Sequence, residues 1–245
     1  MLSSAAIKHI NALKIKKYRC KYREFVAEGP KLVSELMLNG IKIKKLYYEE
    51  SLQEDFSRYD FSEEVGEDSL QKITHLHSHP YKVLAICEMP DYRLHDGLKE
   101  GKWYLALDDI QDPGNMGTII RTADWFGIDT LLISPACVDV YNSKVVQATM
   151  ASIARVRTAE VDLYEILNSH NDIPVYGAVL DGENIFTIKD KKPGILLIGN
   201  EGKGISPHLL PMITQKITIP GRGNVESLNA AISAGIILAW ADGGL

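Results

Sequence analysis

The sequence predicts an α/β protein, with a mostly parallel sheet in its C-terminal half and a smaller α/β unit before it. From Trp103 onward, short apolar runs typical of buried strands alternate with stretches typical of helices. Such alternation favours a parallel sheet with helices on both faces. The 245 residues are 45% hydrophobic and 24% charged, which is the composition of a globular protein with a sizeable core.

The N-terminal half contains helices and strands in an irregular order. The run IKHINALKIKKYRCKYREF predicts one basic amphipathic helix, because apolar residues recur among lysines at helical spacing. GPKLVSELMLNG predicts a helix that begins at Pro30 and stops at Asn39-Gly40. A capping box at Ser51–Glu54 predicts a short helix, and another begins at Asp68. IKKLYYE and KVLAICE predict strands.

A polar segment separates the two halves. Residues 89–101 contain proline and two glycines and have neither strand nor helix periodicity. We therefore predict an N-terminal domain at 1–95, a linker at 96–102 and a C-terminal domain at 103–245.

The C-terminal half alternates strand and helix in order. Its predicted strands are WYLALDD, TLLIS, ARVRTAEV, PVYGAVL, GILLIGN and KITIP. Its predicted helices are GTIIRTADWFG, NSKVVQATMAS, DLYEILNSH, a short one near Ser206 and a final one from about Glu226. In parallel sheets, ligands bind beyond the C-terminal ends of the strands, so polar stretches that follow strands are the candidates for a functional site.

Composition and residue spacing argue against several classes of protein. No apolar run reaches the length of a membrane span, and the N-terminus lacks the apolar core of a secretion signal. Three scattered cysteines without a CxxC pair favour the reducing cytoplasm and argue against disulfides or a zinc site. His75, His77 and His79 alternate, but no carboxylate or cysteine pattern accompanies them, so we predict no metal site.

The net charge of −5 does not by itself suggest a nucleic-acid partner, but its distribution is uneven. Residues 1–23 contain seven basic residues and no acidic residue, and such a block can bind phosphates. On charge alone, a solvated amphipathic helix is the better interpretation of this block.

Three polar or glycine-rich stretches each follow a predicted strand. DPGNMGTIIRTADWFG places Asn115 near a helix N-terminus and Arg121 about two turns further along. GNEGKG brings backbone close to a ligand, but it lacks the motifs of phosphate and dinucleotide loops, and Glu201 would repel a polyphosphate. IPGRGNVESLN puts Ser227 and Asn229 at the start of a helix. Each stretch alone also fits a plain cap, a surface arginine or a tight turn. The three stretches together, in this order and each after a strand, indicate a functional site much more specifically.

These stretches resemble the three sequence motifs of the SpoU (TrmH-like) RNA 2′-O-methyltransferases of the SPOUT class, over essentially 103–245. Through EFVAEGPKLVSELMLNG, the N-terminal half is similar to the small α/β/α substrate-binding domain often attached to this family, a fold akin to some ribosomal proteins. The resemblance implies a deep trefoil knot, which sequence periodicity alone could not predict. It also implies a homodimer, S-adenosylmethionine as cofactor and structured RNA as substrate.

The resemblance also implies roles for single residues. The S-adenosylmethionine site that it implies consists of Gly199, Asn200, Gly202, Gly204, Ile219 and Leu228. In the implied catalytic set, Arg121 lies near the transferred methyl group, and Asn115 and Glu201 orient Arg121 or the ribose. Ser227 and Asn229 hold RNA phosphate or the motif loops. The family's arginine is described as a general base. Because a guanidinium is effectively always protonated, we favour stabilisation of the developing alkoxide.

We therefore expect an enzyme that methylates a ribose 2′-hydroxyl, with ribosomal RNA as the first choice of substrate and transfer RNA as the second. A non-catalytic RNA-binding or ribosome-assembly factor on the same fold is the alternative from another class. It would need neither S-adenosylmethionine nor Arg121. A nicotinamide-dependent oxidoreductase is disfavoured because the GxGxxG motif is missing.

Overall fold

The computed structural model describes residues 2–76, 81–92, 94 and 97–243, and the chain forms two compact units. The first unit comprises Met1–Asp91 together with Asp139–Ala154, and the second comprises Tyr92–Val138 and Arg155–Leu245. The sequence-based division at 96–102 places 139–154 in the C-terminal domain and stays a prediction. No helix of the described residues is both long and apolar enough to cross a bilayer.

The first unit contains a four-stranded sheet with strand order β1-β4-β2-β3. Its strands are β1 (Glu24–Glu28), β2 (Ile43–Tyr48), β3 (Ser62–Glu64) and β4 (Val83–Glu88). Strand β4 pairs antiparallel with β1 and β2, and β2 pairs parallel with β3. The helices of residues 1–91 are α1 (Ser4–Ala12), α2 (Lys16–Tyr22), α3 (Pro30–Leu38), α4 (Gln53–Phe56) and α5 (Glu67–Ile73).

The predicted single basic helix is wrong, because the chain breaks it after α1. Ile15 has an extended backbone (φ −104°, ψ 126°) between α1 and α2. Arg23 ends α2 in the left-handed conformation (φ 56°), and the chain then enters β1, whose five residues are all buried. The capping box is also wrong. Ser51 lies inside a 3₁₀ turn at Glu50–Leu52, and its hydroxyl is 3.5 Å from the Glu49 carboxylate.

The second unit contains a six-stranded sheet with strand order β10-β8-β9-β5-β6-β7, in which every neighbouring pair is parallel. Its strands are β5 (Tyr104–Leu107), β6 (Thr130–Ile133), β7 (Arg157–Glu160), β8 (Val175–Asn184), β9 (Ile195–Ile198) and β10 (Gln215–Thr218). The remaining α-helices in the described part of the chain are α6 (Pro113–Trp125), α7 (Ser143–Ala148), α8 (Leu163–Ser169) and α9 (Ala230–Asp242). The predicted α/β fold with a mostly parallel sheet is confirmed.

The segment 139–154, which contains α7, belongs to the first unit and packs against β1. The buried Arg19 donates from Nε and Nη2 to Asp139 Oδ2, at 2.8 and 2.5 Å. The rings of Phe25 and Tyr141 have their centroids 5.0 Å apart. A buried ion pair and an aromatic contact therefore hold this segment in place.

Candidate active site

The three predicted motif stretches begin at the C-terminal ends of three parallel strands. The first stretch follows β5 and leads into α6, the second follows β9 as the loop 199–206, and the third follows β10 and leads into α9. Because the strands are parallel, these ends lie at one edge of the sheet. Helices α6 and α9 pack against each other, which brings the first and third stretches together.

A chain of side-chain hydrogen bonds joins the three stretches. Asn229 Oδ1 accepts from the backbone N–H groups of Ala231 (2.9 Å) and Ile232 (3.3 Å), so Asn229 is the N-cap of α9. Its Nδ2 donates to Asn115 Oδ1 at 2.9 Å. Asn115 Nδ2 donates in turn to Glu201 Oε1 at 2.5 Å. One residue of each motif therefore takes part in a single polar network, which fixes Asn115 on two sides.

Asn115 is free to join this network because another residue caps α6. Asp112 is the N-cap, and its Oδ1 accepts from the backbone N–H of Asn115 at 2.8 Å. Pro113 occupies the first helical position, where its missing N–H costs nothing. The interpretation of Asn115 as a plain helix cap is therefore wrong. The predicted start of α9 near Glu226 is also several residues early, because the cap is Asn229.

Arg121 lies on the exposed face of α6, opposite the buried residues Ile119, Ile120 and Ala123. Among the residues that the structure describes, none forms a hydrogen bond or an ion pair with its guanidinium. Asn115 and Glu201 bind each other and not Arg121. The structure thus leaves a full positive charge exposed to an incoming substrate.

The loop 199–206 depends on a glycine. A Cβ on Gly199 would lie 2.3 Å from the carbonyl carbon of Gly204, because the two sides of the loop are in backbone contact. Asn200 and Gly204 exchange two backbone hydrogen bonds across the loop. Asn200 also donates from Nδ2 to the backbone carbonyl of Asp109 at 2.8 Å. The loop is therefore tight and is tied to the end of β5.

Two carboxylates that sequence reasoning left without a role anchor this loop. The buried Asp108 accepts from the backbone N–H of Ser206 at 2.7 Å. Asp109, in the left-handed conformation at φ 56°, accepts from Gln111 Nε2 (2.6 Å) and Lys203 Nζ (3.1 Å). These hydrogen bonds lower the pKa of the Asp109 carboxyl group, and the bond from Gln111 has the largest effect. The available signal was the Asp-Asp pair directly after an apolar strand.

A cavity of about 530 Å³ opens between this loop, β8, the end of β10 and the start of α9. Its volume lies in the range of about 300–1,000 Å³ that is typical of small-molecule sites. Its wall includes Glu201, Ser227 and all six residues predicted for the cofactor, namely Gly199, Asn200, Gly202, Gly204, Ile219 and Leu228. Asn115, Arg121 and Asn229 are outside this lining.

The charges on the cavity wall do not form a phosphate site. Lys203 Nζ is 3.1 Å from Asp109 Oδ2, and Lys216 Nζ is 3.0 Å from Asp181 Oδ2. Each lysine therefore already has a carboxylate partner, and Glu201 adds a further negative charge. The wall suits a ligand without phosphate groups, as Glu201 indicated in the sequence.

Of the three alternating histidines, His77 and His79 lie outside the described residues. His75 is buried in the first unit, with Nε2 2.8 Å from the Ile10 carbonyl oxygen and Nδ1 2.9 Å from Ser143 Oγ. Burial lowers the pKa of His75 to about 4. Within the described ranges, no group of three or more histidine, cysteine, aspartate or glutamate side chains could hold a metal ion.

Comparison with known proteins gives matches over both halves of the chain. Residues 102–239 match the model of the SpoU rRNA Methylase family, and residues 4–85 match the MRM3-like substrate binding domain. The chain is 30% identical to the 23S rRNA (guanosine(2553)-2′-O)-methyltransferase RlmP of Bacillus subtilis over 242 residues. This match covers 95% of this chain and 94% of that protein.

Solved structures agree with these matches. The AdoMet-bound rRNA methyltransferase from Sinorhizobium meliloti gives a TM-score of 0.88 at 34% identity and covers 100% of this chain and 97% of that one. The SpoU methyltransferase AviRb from Streptomyces viridochromogenes, in complex with AdoMet, gives a TM-score of 0.87 at 26% identity. The match covers 99% of this chain and 98% of the AviRb chain.

The family model spans more than half of the 245 residues, and these relatives match over nearly their whole lengths. The resemblance seen in the three motifs and in the N-terminal half is thereby confirmed. The residues of the polar network and of the cavity wall lie within the span 102–239 that the family model matches. The chain belongs to the SpoU rRNA methylase family.

Proposed function

We propose that this protein is an S-adenosylmethionine-dependent methyltransferase that modifies a ribose 2′-hydroxyl in ribosomal RNA. The observation that carries the proposal is the network of Asn229, Asn115 and Glu201, which joins the three family motifs beside a small-molecule cavity. The Bacillus subtilis relative, matched over nearly its full length, is named as a 23S rRNA 2′-O-methyltransferase, which supports ribosomal RNA over transfer RNA.

The cavity fits the cofactor in size and in charge. Gly199, Gly202 and Gly204 lie on that wall and carry no side chain that could stand between their main-chain groups and a ligand. Both lysines on the wall are neutralised by carboxylates, so the site favours a ligand without phosphate. When bound, S-adenosylmethionine supplies a methyl group activated on a positively charged sulfur. The loop glycines, Ile219 and Leu228 would hold it.

The catalytic task left to the protein is to position a weakly acidic hydroxyl group and to stabilise the negative charge that develops on its oxygen. Arg121 is suited to the second role, because its charge is exposed and has no partner among the described side chains. A guanidinium does not give up its proton near neutral pH, so Arg121 acts as an electrostatic stabiliser and not as a base. Asn115, fixed by Asn229 and Glu201, is suited to orient the ribose. Ser227 is exposed and lies at the cavity wall, where its hydroxyl can hold the motif loops or the substrate RNA.

The first unit supplies the RNA-binding surface in this proposal. Residues 1–23 contain seven basic residues, all but Arg19 of them exposed, and no acidic residue. Phosphate contacts from such a surface make RNA affinity fall as salt rises. The match of residues 4–85 to a substrate-binding domain supports this assignment.

We also propose a homodimer, a trefoil knot and a cytoplasmic location. On the packed pair α6 and α9, Trp125 is 84% exposed and Ile232 is 55% exposed, and large exposed apolar side chains of this kind mark protein interfaces. The knot is supported by the path of the chain, which leaves β10 at the sheet edge and returns to pack α9 against α6 and β9. Cys20, Cys87 and Cys137 are unpaired thiols, which suits the reducing cytoplasm.

The proposal is tested by incubating the protein with labelled S-adenosylmethionine and either unmodified large-subunit ribosomal RNA or bulk unmodified transfer RNA. Alkaline digestion follows, because a 2′-O-methylated ribose protects the next phosphodiester bond. We expect label in an alkali-resistant dinucleotide from ribosomal RNA, and its loss in the Arg121→Ala variant. Label only in transfer RNA would show that the substrate is transfer RNA and not ribosomal RNA. Absence of both transfer and cofactor binding would favour the non-catalytic factor.

A further inference from the structure

The first unit carries a cluster of aromatic side chains on the surface of α2, outside the candidate active site. We propose that Tyr22, supported by Tyr18 and His9, is a stacking platform for an unpaired nucleobase of the substrate RNA. This inference rests on the proposed function in RNA modification and adds a second contact point to it.

The geometry of the cluster suits stacking. Tyr18 and Tyr22 lie one turn apart on α2, with ring centroids 6.2 Å apart and planes only 14° from parallel. Tyr22 is 36% exposed, so part of its ring remains accessible. His9 of α1 meets the Tyr22 ring at 64°, with centroids 4.8 Å apart. A flat ring is thus presented at the surface and contacted by two other rings.

A buried carboxylate holds the support in place. His9 Nε2 is 2.6 Å from Glu24 Oε2, and Lys44 Nζ donates to Glu24 Oε1 at 2.9 Å. Glu24 is buried, so its position is set by the sheet. Because His9 is fixed in this way, Tyr22 loses little conformational freedom when a base stacks on it, which favours binding.

The charges around the platform are those that RNA requires. Lys21 Nζ lies over the Tyr22 ring, 5.5 Å from its centroid, and Lys14 and Lys17 are exposed nearby in the sequence. A flexible lysine can leave the ring for a phosphate while a base takes its place on the ring. Aromatic rings interleaved with basic residues are the common means of binding unpaired nucleotides.

A second aromatic cluster in the same unit has similar geometry but the opposite charge environment. Tyr59 and Phe61 stack with centroids 5.3 Å apart and planes at 18°, and Arg58 lies 5.0 Å from the Tyr59 ring centroid. Its sequence neighbours Asp55, Asp60 and Glu64 are exposed carboxylates, which repel phosphates. The contrast favours Tyr22 for RNA and makes Tyr59 a matched control.

The test measures the affinity of full-length variants for unmodified large-subunit ribosomal RNA transcript at two salt concentrations. Stacking of one base on an aromatic side chain predicts a loss of about 5- to 150-fold for Tyr22→Ala. Tyr22→Phe keeps the ring and should retain affinity within about twofold. Tyr22→Leu keeps apolar bulk without the ring and should lose affinity as Tyr22→Ala does, which covers the case in which the alanine variant folds poorly. Tyr59→Ala should bind as wild type.

The salt dependence separates stacking from charge. Tyr22→Ala should leave the slope of log affinity against log salt unchanged, whereas Lys17→Gln should reduce it by about one. Cofactor binding should be unaffected in every variant. The inference is overturned if Tyr22→Leu and Tyr59→Ala bind RNA equally. If wild type neither binds nor methylates the transcript, the proposed function fails first, and the two failures are distinguishable.

Discussion

Replacement of Asn229 by aspartate separates the two roles that the structure gives to this side chain. Asn229 Oδ1 caps α9, and its Nδ2 donates to Asn115. Aspartate caps a helix as well as asparagine does, and its charge suits the helix N-terminus. It has no donor for Asn115 Oδ1. The Asn229→Asp variant therefore keeps the cap and removes the link between the first and third motifs.

The expected magnitudes differ for stability and for catalysis. Because the cap persists, the free energy of unfolding should fall by no more than the contribution of the lost Asn229–Asn115 hydrogen bond, about 1 kcal/mol. One lost hydrogen bond is worth about 1 kcal/mol. If Asn115 is misplaced to that extent in the transition state, the rate of methyl transfer should fall about five- to tenfold.

Single-turnover transfer of label to ribosomal RNA, with thermal unfolding measured in parallel, would check both numbers. Asp162→Ala is the matched control, because Asp162 caps α8 through Glu165 in the same unit and lies outside the network. It should lose about 1 kcal/mol of stability and keep its rate. A wild-type rate in Asn229→Asp would refute the positioning role of the network.

Three further predictions concern the loop, the arginine and the buried histidine. Gly199→Ala forces a Cβ to 2.3 Å from the Gly204 carbonyl carbon and should weaken S-adenosylmethionine binding at least about tenfold, whereas Gly221→Ala, with no atom within 4 Å, should be neutral in calorimetric titration. Arg121→Lys keeps the charge but loses the guanidinium fork, so turnover should fall about 10- to 100-fold with cofactor affinity unchanged, and near-normal turnover would contradict a special need for guanidinium. The pKa of His75 falls from 6.5 to about 4 on folding, so the folded state binds fewer protons between these values and the free energy of unfolding should rise by about 3 kcal/mol as pH rises through this window. Denaturant titrations at several pH values should show that rise in wild type and not in His75→Gln, and equal slopes would exclude His75 as its source.

Local signals predicted the parts of the site that depend on neighbours in sequence. Pro113 at the start of α6 and the glycines of the loop 199–204 have consequences that are set by backbone geometry alone, so their positions could be read from the sequence. The alternation of strand-like and helix-like runs predicted the parallel sheet, because parallel neighbouring strands need a crossover connection, which is usually a helix. Asn115 was predicted as a site residue, but its hydrogen-bond partners lie 86 and 114 residues away and could not be deduced.

Other features depend on contacts that no local pattern contains. Strand β1 was not predicted, and its first two residues were assigned to the basic helix; its pairing with β4 makes it a strand. Asp109 has a left-handed backbone and anchors a loop about ninety residues later in the chain, which neither its type nor its spacing indicates. The helix α7 fitted the alternation of the C-terminal half, yet its contacts are with β1.

The return of residues 139–154 to the first unit sets an order of events during protein synthesis. Arg19 is buried against Asp139, and Phe25 packs on Tyr141, so Arg19 lacks its carboxylate partner and Phe25 lacks its aromatic partner while the nascent chain is shorter than 139 residues. A buried arginine without its carboxylate is strongly destabilising. The first unit therefore cannot complete its fold until β5, α6 and β6 have also left the ribosome. A fragment ending at residue 95 should be an aggregation-prone folding intermediate.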